Sequence, residues 1–543
     1  MSLTVFRLAS SWRPALAQLL QRLVPRAAEP LDYPFAPTDV AQLHRLAPSG
    51  EDAGLDDQTW RDLLLDRYAD SLSGREDGKL SIFGRQALYR RLRGGARAEE
   101  RALRRRRIEA LLEEDGNAPA RLDRLRDALR PLRHAEVEVA ELLFDPAYRM
   151  PPSPPWLRFA WLLPLALLAS LAAVVLSPAA WIAVGAVMYC LVRIQMRYDD
   201  GIGAWRSATR TLQMMLRVVS LLDGSGQPLA DDFGGRGGRA GILSRGLARS
   251  LAAQAVPDAA GYADWFGLAN VRHYFRTLAI VDAQRGFLRE CYWLCAELEA
   301  DVALARHLRD VPAWCWAGHA DARTLQLEEG VHPLLDGASG LSLALDGKGA
   351  FISGQNGAGK STLLRMLGLN LVTARAFGFC YARRASLPAL AVVASMQNED
   401  SLLEGHSLYV AELGRARELL AASGGRQVIC LVDEIFRGTN HEESVAAAAT
   451  VLDELAGSAM VVVSSHNLVL GPLLAHRLDA WRIVRAEEGG LRLEPGVLAQ
   501  TNGVALLAQH GFEPAIQRKA ERVAQWLAGQ RHGEVEPVLA PGK

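Results

Sequence analysis

Hydrophobic and polar positions divide this chain into regimes of different period. Residues 31–150, and again Tyr198 to Leu308, place apolar side chains at helical spacing, which predicts two blocks of packed helices. Between them, Phe159 to Val192 carries no charged residue and is broken near its middle by Ser177-Pro178. After residue 311 the pattern changes to short apolar β-type runs alternating with helix-like runs. One run ends at Ser353, another is Gln427–Val432, and a third is Met460–Ser465. Unbroken β-branched runs of that length predict parallel strands buried on both faces. A last helical pattern covers Glu513–Leu527.

The uncharged stretch predicts a membrane hairpin with arms Phe159–Leu176 and Ala179–Val192. A bilayer core asks for about 20 apolar residues per helix, so the first arm is adequate and the second is short. Arg149 and Arg158 flank one side, Arg193 and Arg197 the other, and the turn has no charge, which keeps both flanks in the cytoplasm. The competing reading is a helical hairpin buried in soluble protein. Trp12 to Leu23 is a basic amphipathic piece and reads as a surface helix, with the membrane interface as its alternative.

The β-type runs carry the chemistry. Phe351-Ile352-Ser353 leads into Gly354-Gln355-Asn356-Gly357-Ala358-Gly359-Lys360-Ser361-Thr362, which matches G-x-x-x-x-G-K-[ST] with Leu363–Leu367 helical behind it. Glycines there let backbone N–H groups from Gly354 through Thr362 converge on phosphate oxygens, and the helix start adds its dipole. Lys360 is placed to reach the outer phosphates of ATP, and the Ser361 hydroxyl to bind Mg²⁺. The second run ends in Asp433-Glu434, with Asp433 suited to the Mg²⁺ shell and Glu434 to activating a water. The third run delivers His466 to the same sheet edge, as a second catalytic candidate beside Glu434. The fold class expected is therefore an α/β P-loop ATPase domain joined to an all-α core with a transmembrane helical hairpin. Its segments are 1–54, a basic linker; 55–155, first helical part; 156–194, hairpin; 195–310, second helical part; 311–500, ATPase; and 501–543, helical tail.

Several of these strings resemble the MutS mismatch-repair ATPases. Asp433-Glu434-Ile435-Phe436-Arg437-Gly438-Thr439-Asn440 is similar to that family's D-E-I-G-R-G-T-S, and Ser464-Ser465-His466 to its T-H segment. Gly330–Leu335 is similar to G-R-H-P-L, with Val331 in place of the arginine, and no aromatic platform for adenine is evident between His332 and Phe351. Glu404–Leu413 resembles S-G-x-S-T-F-x-x-E-M, which implies that Ser407 acts in trans on a neighbouring subunit's nucleotide in a homodimer. Leu55–Leu63 and Ser81–Leu92 resemble the start of the family's helical core, and Ala296–Ala305 the helix just before its ATPase. Leu493–Val497 and Asn502–Ala508 resemble its closing segments, and Glu513–Leu527 its dimer-forming tail. The resemblance leaves no room before residue 55 for the mismatch-reading domain, so mismatch reading is not carried over.

Charge changes the picture in one respect. Lys+Arg and Asp+Glu are both 61 in 543 residues, so any contact with duplex DNA must come from a local patch. Arg97, Arg101 and Arg104 through Arg107 form the densest basic cluster and read as a solvated helix face, or else as a seat for phosphate or lipid headgroups. Asp232–Arg239 is glycine-rich and reads as a linker. Six scattered cysteines form no C-x-x-C pair; Cys291 and Cys295 share a helical face and read as core rather than metal ligands. The function expected is a dimeric MutS-like ATPase switch in the inner (cytoplasmic) membrane, its ATPase facing the cytoplasm and its ligand DNA. The alternatives are a membrane scaffold gathering an unknown protein partner, and a transporter-type ATPase. The last lacks an L-S-G-G-Q signature before the Asp433 strand.

Overall fold

A computed structural model describes residues 35–48, 54–74, 79–113, 118–226, 229–249, 257–396, 408–485, 490–498, 507 and 510–529. Trp12–Leu23, Ser407 and residues 502–506 lie outside the described residues. The fold is mixed α/β with much helix. Among the described residues twelve short strands run from β1 (Cys315–Trp316) and β2 (Gly318–His319) through β3 (Thr324–Gly330), β4 (Leu341–Asp346), β5 (Gly349–Ser353) and β6 (Phe379–Cys380). They continue with β7 (Arg384–Leu387), β8 (Ala391–Ser395), β9 (Val428–Asp433), β10 (Met460–Ser464), β11 (Leu478–Arg485) and β12 (Leu491–Pro495).

The central sheet has the order β12-β11-β5-β10-β9-β8, parallel throughout except for the antiparallel edge strand β12. Every residue of β5, β9 and β10 is buried, as unbroken apolar runs require. Alternation decides which face each side chain serves. Ile352, Ile429, Leu431 and Val462 join the large core that contains helix Lys360–Phe377 and extends into the helical half. Phe351, Val428, Cys430, Val432, Val461 and Val463 pack on the other face, under helices Leu408–Ser423 and His441–Ser458.

The helical half is organised by helix Arg285–Asp310, which lies against Ile82–Gly94 and Ala98–Leu112. Buried Glu299 closes the start of Ile82–Gly94, accepting from Ser81 N and Gly84 N at 3.0 Å each. Two turns of the same helix present Glu297 and Asp301 to the arginine cluster. Asp301 meets Arg91 Nη1 at 2.9 Å, Arg107 Nη1 at 3.5 Å and Arg104 Nε at 3.6 Å, while Arg91 also pairs with Glu297. Arg104 is buried and donates to Ala376 O at 2.6 Å. The expected solvated face is therefore corrected: Arg104 and Arg107 belong to a buried ion network, and only part of the cluster, Arg105 and Arg106 among it, faces water. Burial alone would raise the Glu297 carboxyl, but Arg91 and Arg104 outweigh it and hold it at about 2.

Two further expectations change. Asp232–Arg239 is a short 3-10 turn, Asp231–Phe233, followed by helix Gly237–Leu247, whose start is held by the Asp223 carboxylate accepting from Gly237 N at 2.8 Å. The arms of the apolar stretch also exchange lengths. The first arm is a 13-residue helix, Leu162–Val174, and the second is the beginning of the 43-residue helix Ala180–Leu222, because nothing between Val192 and Leu222 breaks it. The two pack on each other, with Leu167, Ser170, Val184 and Leu191 buried and Leu163, Val174, Val187 and Met188 half-buried, while much of the apolar stretch is exposed: Val175 is 88% accessible, Leu176 89% and Ile182 79%. Among the described residues, only 17% of the apolar window of the long helix is buried. Ala180–Leu222 is long and apolar enough to cross a membrane by length and composition.

Candidate functional site

Register brings the sequence motifs together. Ser464 lies opposite Asp433 on one side and Ile352 on the other, so the carboxyl ends of β5, β10 and β9 form one rim. β5 turns there into the loop Gly354–Gly359, in which Gly357 and Gly359 take φ of 72° and 87°. Residues with a Cβ rarely adopt that region, and it is what bends the loop into the start of helix Lys360–Phe377. Asn356 is exposed and Ala358 half-buried on this loop, and Thr362 follows on the first helical turn. Lys360, only 6% exposed, folds back so that Nζ donates to Gly354 O and Gln355 O, both at 3.2 Å. Burial draws its ammonium below the ordinary lysine range, against the pull of Glu434 and Asp433.

Asp433 is the pivot of the rim. One carboxylate oxygen accepts from the Ser361 hydroxyl and the other from the Ser464 hydroxyl. The sequence shows Ser464 as part of a strand end and of the string before His466; its bond to Asp433 depends on register, which no local pattern reveals. Next to Asp433 the chain enters a left-handed conformation, with Glu434 at φ 51° and Phe436 at φ 57°. Non-glycine residues held there cost about 1–3 kcal/mol each, strain of a kind that concentrates at functional sites. Glu434 N donates to Ser464 O at 3.0 Å and turns the side chain toward His466, whose Nε2 lies 2.6 Å from Glu434 Oε1. Burial would raise the Glu434 carboxyl, but the His466 contact, with Arg437 and Lys360, holds it below the usual range.

The following loop is fixed from the side. Glu412 accepts from Arg437 N at 2.9 Å and Gly438 N at 3.3 Å, and Arg437 Nε stands 3.6 Å from Glu434 Oε2. Asn440 then caps helix His441–Ser458 by accepting from Glu443 N. Lys360, Ser361, Asp433, Glu434 and His466 thus stand together at the rim. Ser407 lies outside the described residues.

A second contact reaches this half from the helical one. Helix Asp57–Asp62 lies along the free edge of β8, where Thr59 Oγ1 accepts from Ala394 N at 2.9 Å and Asp62 Oδ2 from Met396 N at 2.8 Å. A sheet edge would otherwise leave those N–H groups unpaired. Arg365, on the helix after the phosphate loop, donates to Asp62 O at 3.0 Å, and Arg415 Nη2 stands 3.3 Å from Asp56 Oδ1. Burial pushes the Asp62 carboxyl from its ordinary 3.8 to about 6, against the Met396 bond and Arg415. A raised carboxyl stabilises the fold fully below about pH 4 and loses that contribution as pH rises through 6, a difference of roughly 3 kcal/mol. Asp62→Asn should therefore raise the melting temperature at pH 8 and leave it unchanged near pH 4; a lower melting temperature at pH 8 would contradict this.

Comparison with known proteins follows the same lines. The family model MutS domain V matches residues 350–487. The DNA mismatch repair protein MutS of Thermus thermophilus is 27% identical over 266 residues, 46% of this chain and 32% of that protein. MutS of Dinoroseobacter shibae is 28% identical over 268 residues, 45% of this chain and 30% of its own length. The DNA mismatch repair protein msh3 of Aspergillus fumigatus is 30% identical over 185 residues, covering 32% and 16%. The chain thus spans about a third or less of the length of these relatives. Residues 350–487, which match MutS domain V, hold the phosphate loop, the acidic strand end and the His466 strand, so this part of the chain is similar to the MutS proteins.

Proposed function

We propose that this chain binds and hydrolyses ATP as a dimeric MutS-like switch, anchored in the inner membrane by its apolar hairpin, with its nucleotide site in the cytoplasm and duplex DNA as its ligand. The observation that supports this most directly is the convergence of Lys360, Ser361, Asp433, Glu434 and His466 at the ends of three adjacent parallel strands. These residues suit Mg²⁺ and ATP. Ser361 and Asp433 already place a hydroxyl and a carboxylate, both hard oxygen donors, side by side at the loop. Mg²⁺ held by them would offset phosphate charge. Backbone N–H groups from Gly354 to Thr362, with the helix start behind them, receive phosphate oxygens. Lys360 exchanges its two carbonyl partners for phosphate. Glu434 takes a proton from the attacking water, and His466 keeps the carboxylate in place.

The dimer enters through Ser407. Mixing Lys360→Ala subunits with Ser407→Ala subunits should restore ATP turnover, since one site in each mixed dimer then has both residues intact. Turnover no higher than that of the two mutants measured separately, with mixed dimers shown to form, would mean that each subunit works alone.

DNA is supported by the relatives, each a DNA mismatch repair protein by name. With the charges balanced, binding should rest on a few phosphate contacts, so log affinity should fall linearly with log salt at a slope of about −0.9 per contact. Absence of any salt-dependent duplex binding would favour the second reading, a membrane scaffold whose ATP-driven dimerisation gathers a protein partner. The balanced charge is the observation on that side.

A further inference from the structure

The long helix Ala180–Leu222 carries a second feature beyond its apolar start. Helix Ala269–Ala283 and the end of helix Gly237–Leu247 enclose with it a cavity of about 250 Å³. Trp205 forms its apolar wall: Nε1 donates to Thr277 Oγ1 at 2.8 Å, and the ring meets Tyr274 edge-on at 6.3 Å, so the wall is fixed in place. Leu247 lies in the same lining.

The polar lining holds three arginines and His273 beside the neutral Thr209, Gln213, Asn270 and Tyr274. Arg206 and Arg210, one helical turn apart, stand on the long helix, and Arg249 and His273 come from the other elements. Arg210 is paired with Glu136 at 3.0 Å and Arg249 with Asp264, while Arg206 is exposed and makes no ion pair among the described residues. Burial first, then Arg276 and Arg249, hold the His273 imidazole below its ordinary range, against the Leu247 backbone bond and Asp264. The cavity is smaller than the range of roughly 300–1,000 Å³ usual for drug-sized ligands.

We propose that this cavity binds a small soluble organic phosphate, its anion between Arg206, Arg210 and Arg249 and its carbon skeleton against Trp205 and Leu247. A lipid headgroup offers the same chemistry, but distance argues against it. Arg206 lies about 20 Å along the helix from Arg193, where the uncharged run ends, whereas the headgroup layer is only about 5–8 Å thick. The site sits on the helix that joins the hairpin to the helical core, so occupancy would fix the angle between them. The inference does not rest on the nucleotide site.

Calorimetric titration of the purified full-length protein with phenyl phosphate tests it. Saturable binding is expected, stronger than for orthophosphate, weakened at least tenfold by Arg206→Gln and unchanged by Lys360→Ala. Loss of binding in Lys360→Ala with none in Arg206→Gln would place the ligand in the phosphate loop and overturn the proposal, as would no saturable binding. Phosphatidylcholine vesicles with and without phosphatidic acid form the second arm. A preference for phosphatidic acid that Arg206→Gln removes would assign the site to a lipid headgroup and overturn the soluble ligand; the expected result is no such dependence.

Discussion

Lys360→Ala should abolish tight ATP binding, whereas Glu434→Ala should keep ATP bound and lose turnover by about 10²–10⁴-fold. The two differ because they act at different stages. Lys360 is the one ammonium inside the phosphate loop, already desolvated and held by two carbonyls that it can exchange for phosphate oxygens. Its removal subtracts binding energy common to ground state and transition state. Glu434 stands beyond Asp433, outside the loop, and its carboxylate is kept ionised by His466, Arg437 and Lys360 in spite of burial. An ionised carboxylate held in a left-handed turn is positioned to accept a proton, and alanine there removes that group without touching the loop. His466→Ala should lower turnover less than Glu434→Ala, because it loosens the base without deleting it. Nucleotide affinity by fluorescence titration and single-turnover hydrolysis separate these effects. Normal steady-state hydrolysis by Glu434→Ala would remove the base from this assignment.

What the sequence disclosed and what it hid follow from the range of each interaction. The phosphate loop, the acidic strand end and the His466 strand are local strings whose chemistry and secondary structure are written in consecutive residues, and the structure assembles them in one rim. Ser464 and Glu412 fall within strings that resemble the family, but their contacts are not legible there because each acts through a neighbour chosen by register or packing. Thr59 and Asp62 were seen as part of a helix start, yet their task is on a strand more than three hundred residues later. The arginine cluster misled for a geometric reason. Four consecutive residues sweep a whole turn of a 3.6-residue helix, so Arg104 through Arg107 cannot all face water once that helix packs. Which of them turn inward depends on Glu297 and Asp301, acids on a helix distant in sequence. Such a network brings little net stability, but deleting one member leaves buried charge unpaired.

Deletion of residues 156–194 should move the protein from the membrane fraction to the soluble one, and intact chain should resist high-salt extraction. The reason is the amount of apolar surface left uncovered. Val175, Leu176 and Ile182, with Leu165, Leu168, Trp181 and Tyr189 on the same arms, are exposed among the described residues. Leaving such surface in water costs about 25 cal/mol per Å², and a contiguous patch of this kind calls for a bilayer or another protein. High salt weakens charge-mediated attachment but not apolar insertion, which is why extraction discriminates between them. The helix lengths sharpen the outcome. Leu162–Val174 spans about 20 Å, against roughly 30 Å of hydrocarbon. Its partner is long enough to cross, but a hairpin reaches only as deep as its shorter arm allows unless the bilayer thins or flanking residues extend the span. A re-entrant hairpin, inserted from the cytoplasmic side with its tip inside the membrane, is therefore the expected form. A cysteine introduced at Ser177 should resist an impermeant thiol reagent added from either side, while one at Gln195, which removes the amide that donates to Asp264 O, should react from the cytoplasmic side. Labelling at Ser177 from the outside would establish a full crossing. Recovery of intact chain in the soluble fraction without detergent would mean that another protein, and not lipid, covers the hairpin.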